Sequence, residues 1–480
     1  MRAYESVIGL EIHAQLLTKT KAFCPVANTF GQEPNTMVGP VSGGLPGALP
    51  VLNARAVELG VRAGLALNCD INRRSVFSRK NYFYPDLPKG YQISQFDEPL
   101  CGRGQVDIFL ESNKKAPKRI GITRIHLEED AGKSVHAPSM TLVNLNRSGV
   151  PLAEIVSEPD LRSAEEAGAY LRKIHQILVY AQVCDGNLEE GNFRCDVNIS
   201  IRPLGQKTLG TRAELKNINS FRFVEKAIEY EIARQISVVE AGGHIVQETR
   251  GWDSAANRTF TMRSKEEAHD YRYFPEPDLP PLLLTESFVT GVRNSMPELP
   301  EQKKARFISE QGLSPYDAEL LTAGRELASY FEDVLRAGAN AKLAANWIGS
   351  ELLRNLKEFD GDLKRNPVTP VSLARLLSLI ENNIISGKIA KTVFDDMFKT
   401  GGDPEAIVRD RGLIQVLDVD ALDGWVNEIL QKHPDQASQY RAGKVKVMGF
   451  FVGEVMKLSK GKANPPLVTE RFIKKLTEGS

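Results

Sequence analysis

The chain carries no net charge, no long apolar run and no paired cysteines. Its 61 basic residues are matched by 61 acidic ones over 480 positions. That balance excludes a generally basic protein that coats nucleic acid by charge alone, so any such contact must come from a local patch. No apolar run approaches the ~20 residues needed to span a bilayer. The stretch after Met1-Arg2-Ala3-Tyr4-Glu5 is broken by Glu11 and His13, which makes a poor secretory signal. The cysteines Cys24, Cys69, Cys101, Cys184 and Cys195 are odd in number and lack paired spacing. They suit a reducing cytosol, and the expected location is cytoplasmic. Apolar residues at 42% and charged residues at 25% are ordinary for globular chains. Disordered, collagen-like and disulfide-stapled classes are thereby excluded, and the length favours two to four domains.

Several catalytic signatures are missing as well. Ala131-Gly132-Lys133-Ser134 has the ending of a phosphate-cradling loop. The glycine required five residues before Gly132 is Leu127, and Glu128, Glu129 and Asp130 would repel a phosphate there. Gly102-Arg103-Gly104 meets Asp107 where a dinucleotide fingerprint needs glycine. No Gly-x-Ser-x-Gly elbow occurs, so no serine nucleophile is indicated.

What is present is alternation. From Val7 to Leu16, apolar Ile8, Leu10, Ile12 and Ala14 alternate with Gly9, Glu11, His13 and Gln15, a strand with one wet face. Phe193 to Arg202 repeats the pattern, with Arg194, Asp196 and Asn198 on its polar phase. Thr211 to Lys216 sets Arg212, Glu214 and Lys216 on one face. Ser163 followed by Glu166 reads as a capping box before a helix bearing Ala167, Leu171, Ile174, Leu178 and Ala181. Strands, helix and more strands imply an α+β fold with a mainly antiparallel sheet. Met296-Pro297-Glu298-Leu299-Pro300 reads as a linker, after which helical periodicity dominates. Ser314-Pro315 and Thr369-Pro370 read as helix starts, and Gly401-Gly402-Asp403-Pro404 as a break before a final small domain.

Arg124, His126 and Glu128 share a face if their segment stays extended, and Glu129 then points the other way unless the chain turns. Glu11, His13, Glu154, Asp196, Asn198, Glu214 and Lys216 project from other predicted strands. Two carboxylates ~4 Å apart repel by about 4 kcal/mol at an effective dielectric near 20. A hard divalent cation removes that repulsion, and magnesium in addition bridges substrate phosphates. The set therefore points to a metal-bound nucleotide; the plainer alternative is a solvated sheet face with surface ion pairs. The last 40 residues hold nine Lys or Arg against three Glu, an excess of six. That is a footprint for RNA, or else a solvated amphipathic helix pair.

These residues lie in segments that resemble the B-subunit family of the aspartyl/glutamyl-tRNA amidotransferases. The carrying segments are Val7-Ile8-Gly9-Leu10-Glu11-Ile12-His13, Arg79-Lys80-Asn81-Tyr82-Phe83-Tyr84-Pro85-Asp86, His126 to Ser134, Leu145-Asn146-Arg147-Ser148-Gly149, Glu154 to Asp160, Ala213-Glu214-Leu215-Lys216-Asn217 and Asp270 to Asp278. The resemblance implies a cradle domain related to glutamine synthetase over residues 1–293, a helical domain over 294–402 and a tRNA-touching tail over 403–480. It implies ATP-dependent phosphorylation of the side-chain carboxylate of Glu-tRNA(Gln) or Asp-tRNA(Asn), then amidation. The ammonia would come from the amidase, or A-type, partner, with the small C-type partner tying the pair together, and neither membrane nor DNA is expected. By resemblance the Mg2+ face comprises Glu11, His13, Glu129 and Glu154, with Glu128 in place of Glu129 if the strand phase holds. Asp196, Asn198, Glu214 and Lys216 lie around nucleotide or ammonia, and Lys80 and Arg147 hold phosphates. Many relatives have four zinc-binding cysteines where this chain has Cys24, Val26, Gly39 and Ser42, so no zinc is expected. Two other readings are a tRNA-binding chaperone with a dead kinase face and a free-standing carboxylate–amine ligase. The intact acidic set argues against the first, the basic end against the second.

Overall fold

The computed structural model describes residues 3–110, 112–264, 271–359, 361–414, 419–459 and 461–478. Asp270 of the segments above and Lys460 of the basic end lie outside the described residues. The chain divides into two compact units, Met1–Leu299 and Pro300–Ser480.

The first unit holds β1 (Tyr4–Gln15), α1 (Ala54–Ala66), β2 (Arg74–Ser75), β3 (Phe77–Asn81), β4 (Tyr91–Gln95), β5 (Gly104–Leu110), β6 (Asn113–Glu129), β7 (Lys133–Ala137) and β8 (Met140–Asn144). It continues with β9 (Pro151–Ser157), α2 (Ala164–Tyr180), β10 (Phe193–Pro203), β11 (Ala213–Lys216), α3 (Phe221–Glu240), β12 (Glu248–Asp253), β13 (Arg258–Ser264), β14 (Phe274–Pro275), β15 (Leu282–Leu283) and α4 (Glu286–Asn294). Eight strands form one sheet in the order β13-β12-β11-β10-β1-β9-β6-β5. Its pairs are antiparallel except β11–β12, which is parallel, so the sheet is mixed.

Alternation decides what the sheet does with its two faces. Ile8, Leu10, Ile12 and Ala14 of β1 are buried, as are Val197 and Ile199 of β10. They join one core with α1, α2 and α3, to which Ala167, Leu171, Ile174, Leu178 and Ala181 contribute at 0–1% exposure. The other face keeps Glu11, His13, Asp196 and Asn198 half-buried. Ser163 caps α2 by accepting from the Glu166 amide at 3.1 Å. The expected reciprocal bond shifts by one residue, because the Glu166 carboxylate accepts from the Arg162 amide at 2.6 Å.

In the second unit, Ser314 and Thr369 cap α6 (Pro315–Thr322) and α10 (Pro370–Glu381), each with proline at the helix start. These follow α5 (Pro300–Ser309), and α7 (Arg325–Arg336), α8 (Ala341–Trp347) and α9 (Leu353–Leu356) lie between them. Gly401, at φ 68°, ends α11 (Gly387–Thr400) in the left-handed conformation that favours glycine. The helix after this break, α12 (Pro404–Asp410), packs against α10 and α11. A separate core begins at Leu422 and joins α13 (Val419–Lys432), α14 (Pro434–Arg441), α15 (Met448–Leu458) and α16 (Pro465–Glu478). Part of the basic charge there is consumed internally, since Asp423 pairs with Arg471 and Lys475. Lys444 and Lys446 are exposed. Among the described residues no helix is long and apolar enough to cross a membrane.

Candidate active site

Antiparallel register brings the polar positions together. His13 stands opposite Glu154 of β9 on one side and Arg194 of β10 on the other. Glu154 in turn stands opposite His126 of β6. Glu11 faces Asp196, and Asn198 faces Glu214. Strands distant in sequence thus place their wet phases on one surface.

Two acidic groups result. In the first, His13 Nε2 lies 3.3 Å from Glu154 Oε2 and 3.7 Å from Glu128 Oε1. His126 Nε2 lies 3.2 Å from Glu154 Oε2 and 3.8 Å from Glu128 Oε2. In the second, Asn198 donates to Glu11 Oε1 at 2.8 Å, and Lys216 Nζ lies 2.6 Å from Asp196 Oδ2 and 3.1 Å from Glu214 Oε1. Thr249 donates to Glu214 Oε2 at 3.0 Å. Each group offers three ligand atoms within 4.8 Å of one another, from His13, Glu128 and Glu154 and from Glu11, Asp196 and Glu214.

Charge and burial shift these groups together. Burial pushes His126 down, but Glu154 and Glu128 outweigh it and hold the imidazole up at about 9. His13 is raised in the same way, burial being opposed by its hydrogen bond to Glu154. Glu154 and Glu128 stay below the ordinary carboxylate value despite burial, because imidazoles and Lys80 favour their charged forms. Glu11 is raised, first by burial and then by Glu154, with Lys216 opposing. Lys216 is raised although buried, by Asp196 and Glu214.

Glu129 does not join this surface. β6 stays extended to its end, so period two sends Glu128 to the wet face and Glu129 to the opposite one. There the Glu129 carboxylate pairs with Lys89 and accepts from the Ile93 amide at 3.0 Å, with both charged side chains almost fully buried. Of the two residues named by resemblance and by strand phase, the structure thus brings Glu128 beside His13 and Glu154 and sets Glu129 beside Lys89.

A cavity of about 880 Å³ opens over the surface, lined among others by His13, Glu128 and Asp196 and by the cations Lys80, Arg147, Arg194 and Lys216. Glu154 and Glu214 touch lining residues, and Glu11 stands opposite Asp196. Lys80 lies 5.2 Å from the Tyr271 ring centre; burial lowers it, but Glu128 holds it above its ordinary value. β14 pairs with β3, setting Phe274 opposite Arg79, and the Tyr82 and Tyr271 rings meet edge to face with centres 6.0 Å apart. Arg147 spends two nitrogens on the carbonyls of Ala131 and Gly132, at 3.0 and 2.6 Å. The Gly132 amide is taken by Asp86, as suits a loop that is no phosphate cradle.

Sequence reasoning gave no role to Arg194, Asp130 or Thr249. Arg194 was legible as the polar phase next to Asp196. Thr249 carried no signal, because the parallel pairing of β12 with β11 that delivers it leaves no local pattern.

The mixed sheet thus carries two acidic groups beside Lys80, Arg147 and Arg194, an arrangement that could hold a hard cation and an anionic group together. Residues 6–290 match the GatB/GatE catalytic domain and residues 329–476 the GatB domain. A protein of Geobacter sp. (strain M21), named as the B subunit of an aspartyl/glutamyl-tRNA(Asn/Gln) amidotransferase, is 57% identical over 478 residues, covering 98% of this chain and 99% of that one. Proteins of the same name from Geobacter sulfurreducens (58% over 478 residues; 98% and 99%) and Syntrophotalea carbinolica (57% over 475 residues; 99% and 99%) are similar to it over the same extent. The chain belongs to the GatB/GatE family.

Proposed function

We propose that the wet face of the sheet phosphorylates and then amidates the side-chain carboxylate of glutamate or aspartate esterified to tRNA. Family membership makes the chain a tRNA-dependent amidotransferase component, a ligase of protein synthesis. The convergence of Glu128, Glu154 and His13 beside Lys80 and Arg147 is the observation that carries the mechanistic reading. Oxygen-rich donors with one imidazole fit Mg2+, held by His13, Glu128 and Glu154. The cation, when bound, neutralises phosphate charge during transfer.

The protein's own groups supply position and charge. Lys80 and Arg147 hold ATP phosphates. The substrate carboxylate oxygen bonds to the γ-phosphorus as the bond to the ADP oxygen breaks. Ammonia then attacks the acyl carbon, a proton leaves nitrogen, and inorganic phosphate departs with the C–O electron pair. Asp196 and Glu214 receive that proton or orient ammonia beside Lys216. The cradle and the chemistry are expected to resemble glutamine synthetase. The amidase partner supplies ammonia, the small C-type partner completes the assembly, and the tail meets tRNA(Gln) or tRNA(Asn) in the cytoplasm. Zinc is not expected. The positions of Cys24, Val26, Gly39 and Ser42 come together, with Ser42 bonded to Gly39 and a Cβ at Gly39 set to meet Val26 and Cys24. They offer one thiol and no imidazole.

The test is co-expression with candidate amidase partners and assay of Glu-tRNA(Gln) and Asp-tRNA(Asn) separately. Amidation of at least one, requiring ATP and Mg2+, is expected. Amidation of neither by an assembled complex overturns the reading.

A further inference from the structure

We propose that Arg194 is a substrate-binding residue, whose guanidinium receives the carboxylate that becomes phosphorylated. The proposal rests on the reading above and names a contact that reading leaves open.

Three observations carry it. Arg194 stands opposite His13 in the β1–β10 register, so it flanks the first acidic group directly. It shares the polar phase of β10 with Asp196 and Asn198 and lines the cavity. Among the described residues its guanidinium is anchored on one nitrogen, since Nη2 donates to Asp130 Oδ2 at 2.7 Å. Asp130 is itself buried, at 5% exposure, and is fixed by Arg147 at 3.4 Å, so the anchor does not swing. The Arg194 Nε is buried and has no hydrogen-bond partner among the described residues.

The Nε has lost water and gained no partner, which is costly, while the Arg194 side chain as a whole stays 35% exposed toward ligand. Such a group persists where a ligand completes it. A guanidinium edge matches two oxygens of a carboxylate in one plane, a geometry an ammonium does not offer. The neighbours select the anion. Lys80 and Arg147 line the same cavity and suit phosphate, while Arg194 stands opposite His13, where phosphoryl group and acceptor must meet. The acceptor carboxylate is therefore the ligand this guanidinium takes, and its remaining carbonyl oxygen stays bound there as the acyl phosphate forms.

The experiment uses the full amidotransferase complex, with the aminoacyl-tRNA that the wild type amidates. Arg194→Lys keeps the charge and loses the fork; Arg194→Gln loses both. Each is expected to raise KM for aminoacyl-tRNA at least tenfold, with KM for ATP within twofold of wild type and binding of uncharged tRNA unchanged. The double variant Arg194→Gln with Asp130→Asn removes both partners of the ion pair, and it is expected to stay as defective as Arg194→Gln. Wild-type kinetics in Arg194→Lys, recovery in the double variant, or a rise confined to KM for ATP would each overturn the proposal. In these cases the functional reading stands. A wild-type complex that amidates neither tRNA overturns that reading and this proposal with it.

Discussion

The two acidic groups on the sheet are built from similar parts and end in different states. The first sets Glu128 and Glu154 against two imidazoles, His13 and His126. The second sets Glu11, Asp196 and Glu214 around an ammonium, Lys216. Both compensate buried negative charge, but an imidazole can give up its proton and become a ligand, whereas a lysine held above its ordinary pKa stays charged. The first group is thus convertible to a cation site, and the second is already filled by its own cation. A shared density of carboxylates is therefore a weaker guide to a metal than the nature of the base that neutralises them.

The largest expected effect separates neighbours on one strand. Glu128→Gln or Glu154→Gln should lower amidation by on the order of 100-fold or more, as loss of a ligand does. If both variants amidated normally, the first group would be only structural. Glu129→Gln should act in the opposite sense. It leaves Lys89 buried without its partner, a loss of about 3–5 kcal/mol read by urea unfolding. A Glu129→Gln chain as stable as the wild type would contradict the buried pair.

A smaller effect is pH-dependent. With divalent cations chelated, His126 holds its proton up to about 9 in the folded chain and loses it near 6.5 when unfolded. A raised pKa gives stability that is complete below 6.5 and vanishes as pH climbs through 9. Chelated protein should therefore lose on the order of 2–3 kcal/mol between those limits, and a His126→Asn variant should lose much less. Equal slopes in the two proteins would remove His126 from the charge balance. The smallest effect lies on the far face of the sheet, where Ser163→Ala removes the cap of α2. It should cost about 1 kcal/mol and leave the kinetics of both groups untouched.

Much of this site was legible because strands obey period two. The wet phases of β1 and β10 gave Glu11, His13, Asp196 and Asn198, and that rule also favoured Glu128 over Glu129. The family resemblance pulled the other way, and the extended end of β6 brings Glu128 to the wet face and Glu129 to the opposite one. Ser314, Thr369 and Gly401 marked helix ends because capping is local chemistry. Strand order was not legible, since it depends on which distant strands pair. With it went the roles of Arg194, which needs its neighbour His13, and of Thr249, which arrives by the one parallel pairing. The break at Gly401-Gly402 was read as a domain start, but α12 packs back onto α10 and α11, a contact that no local pattern announces.

Calorimetric titration of Mg2+ into the full-length chain tests the central assignment most directly, with Glu128→Gln and Glu129→Gln measured below their unfolding temperatures. One site in the wild type, kept in Glu129→Gln and weakened at least tenfold in Glu128→Gln, is the result expected from the strand phase. Loss of the site in Glu129→Gln with wild-type affinity in Glu128→Gln would contradict it.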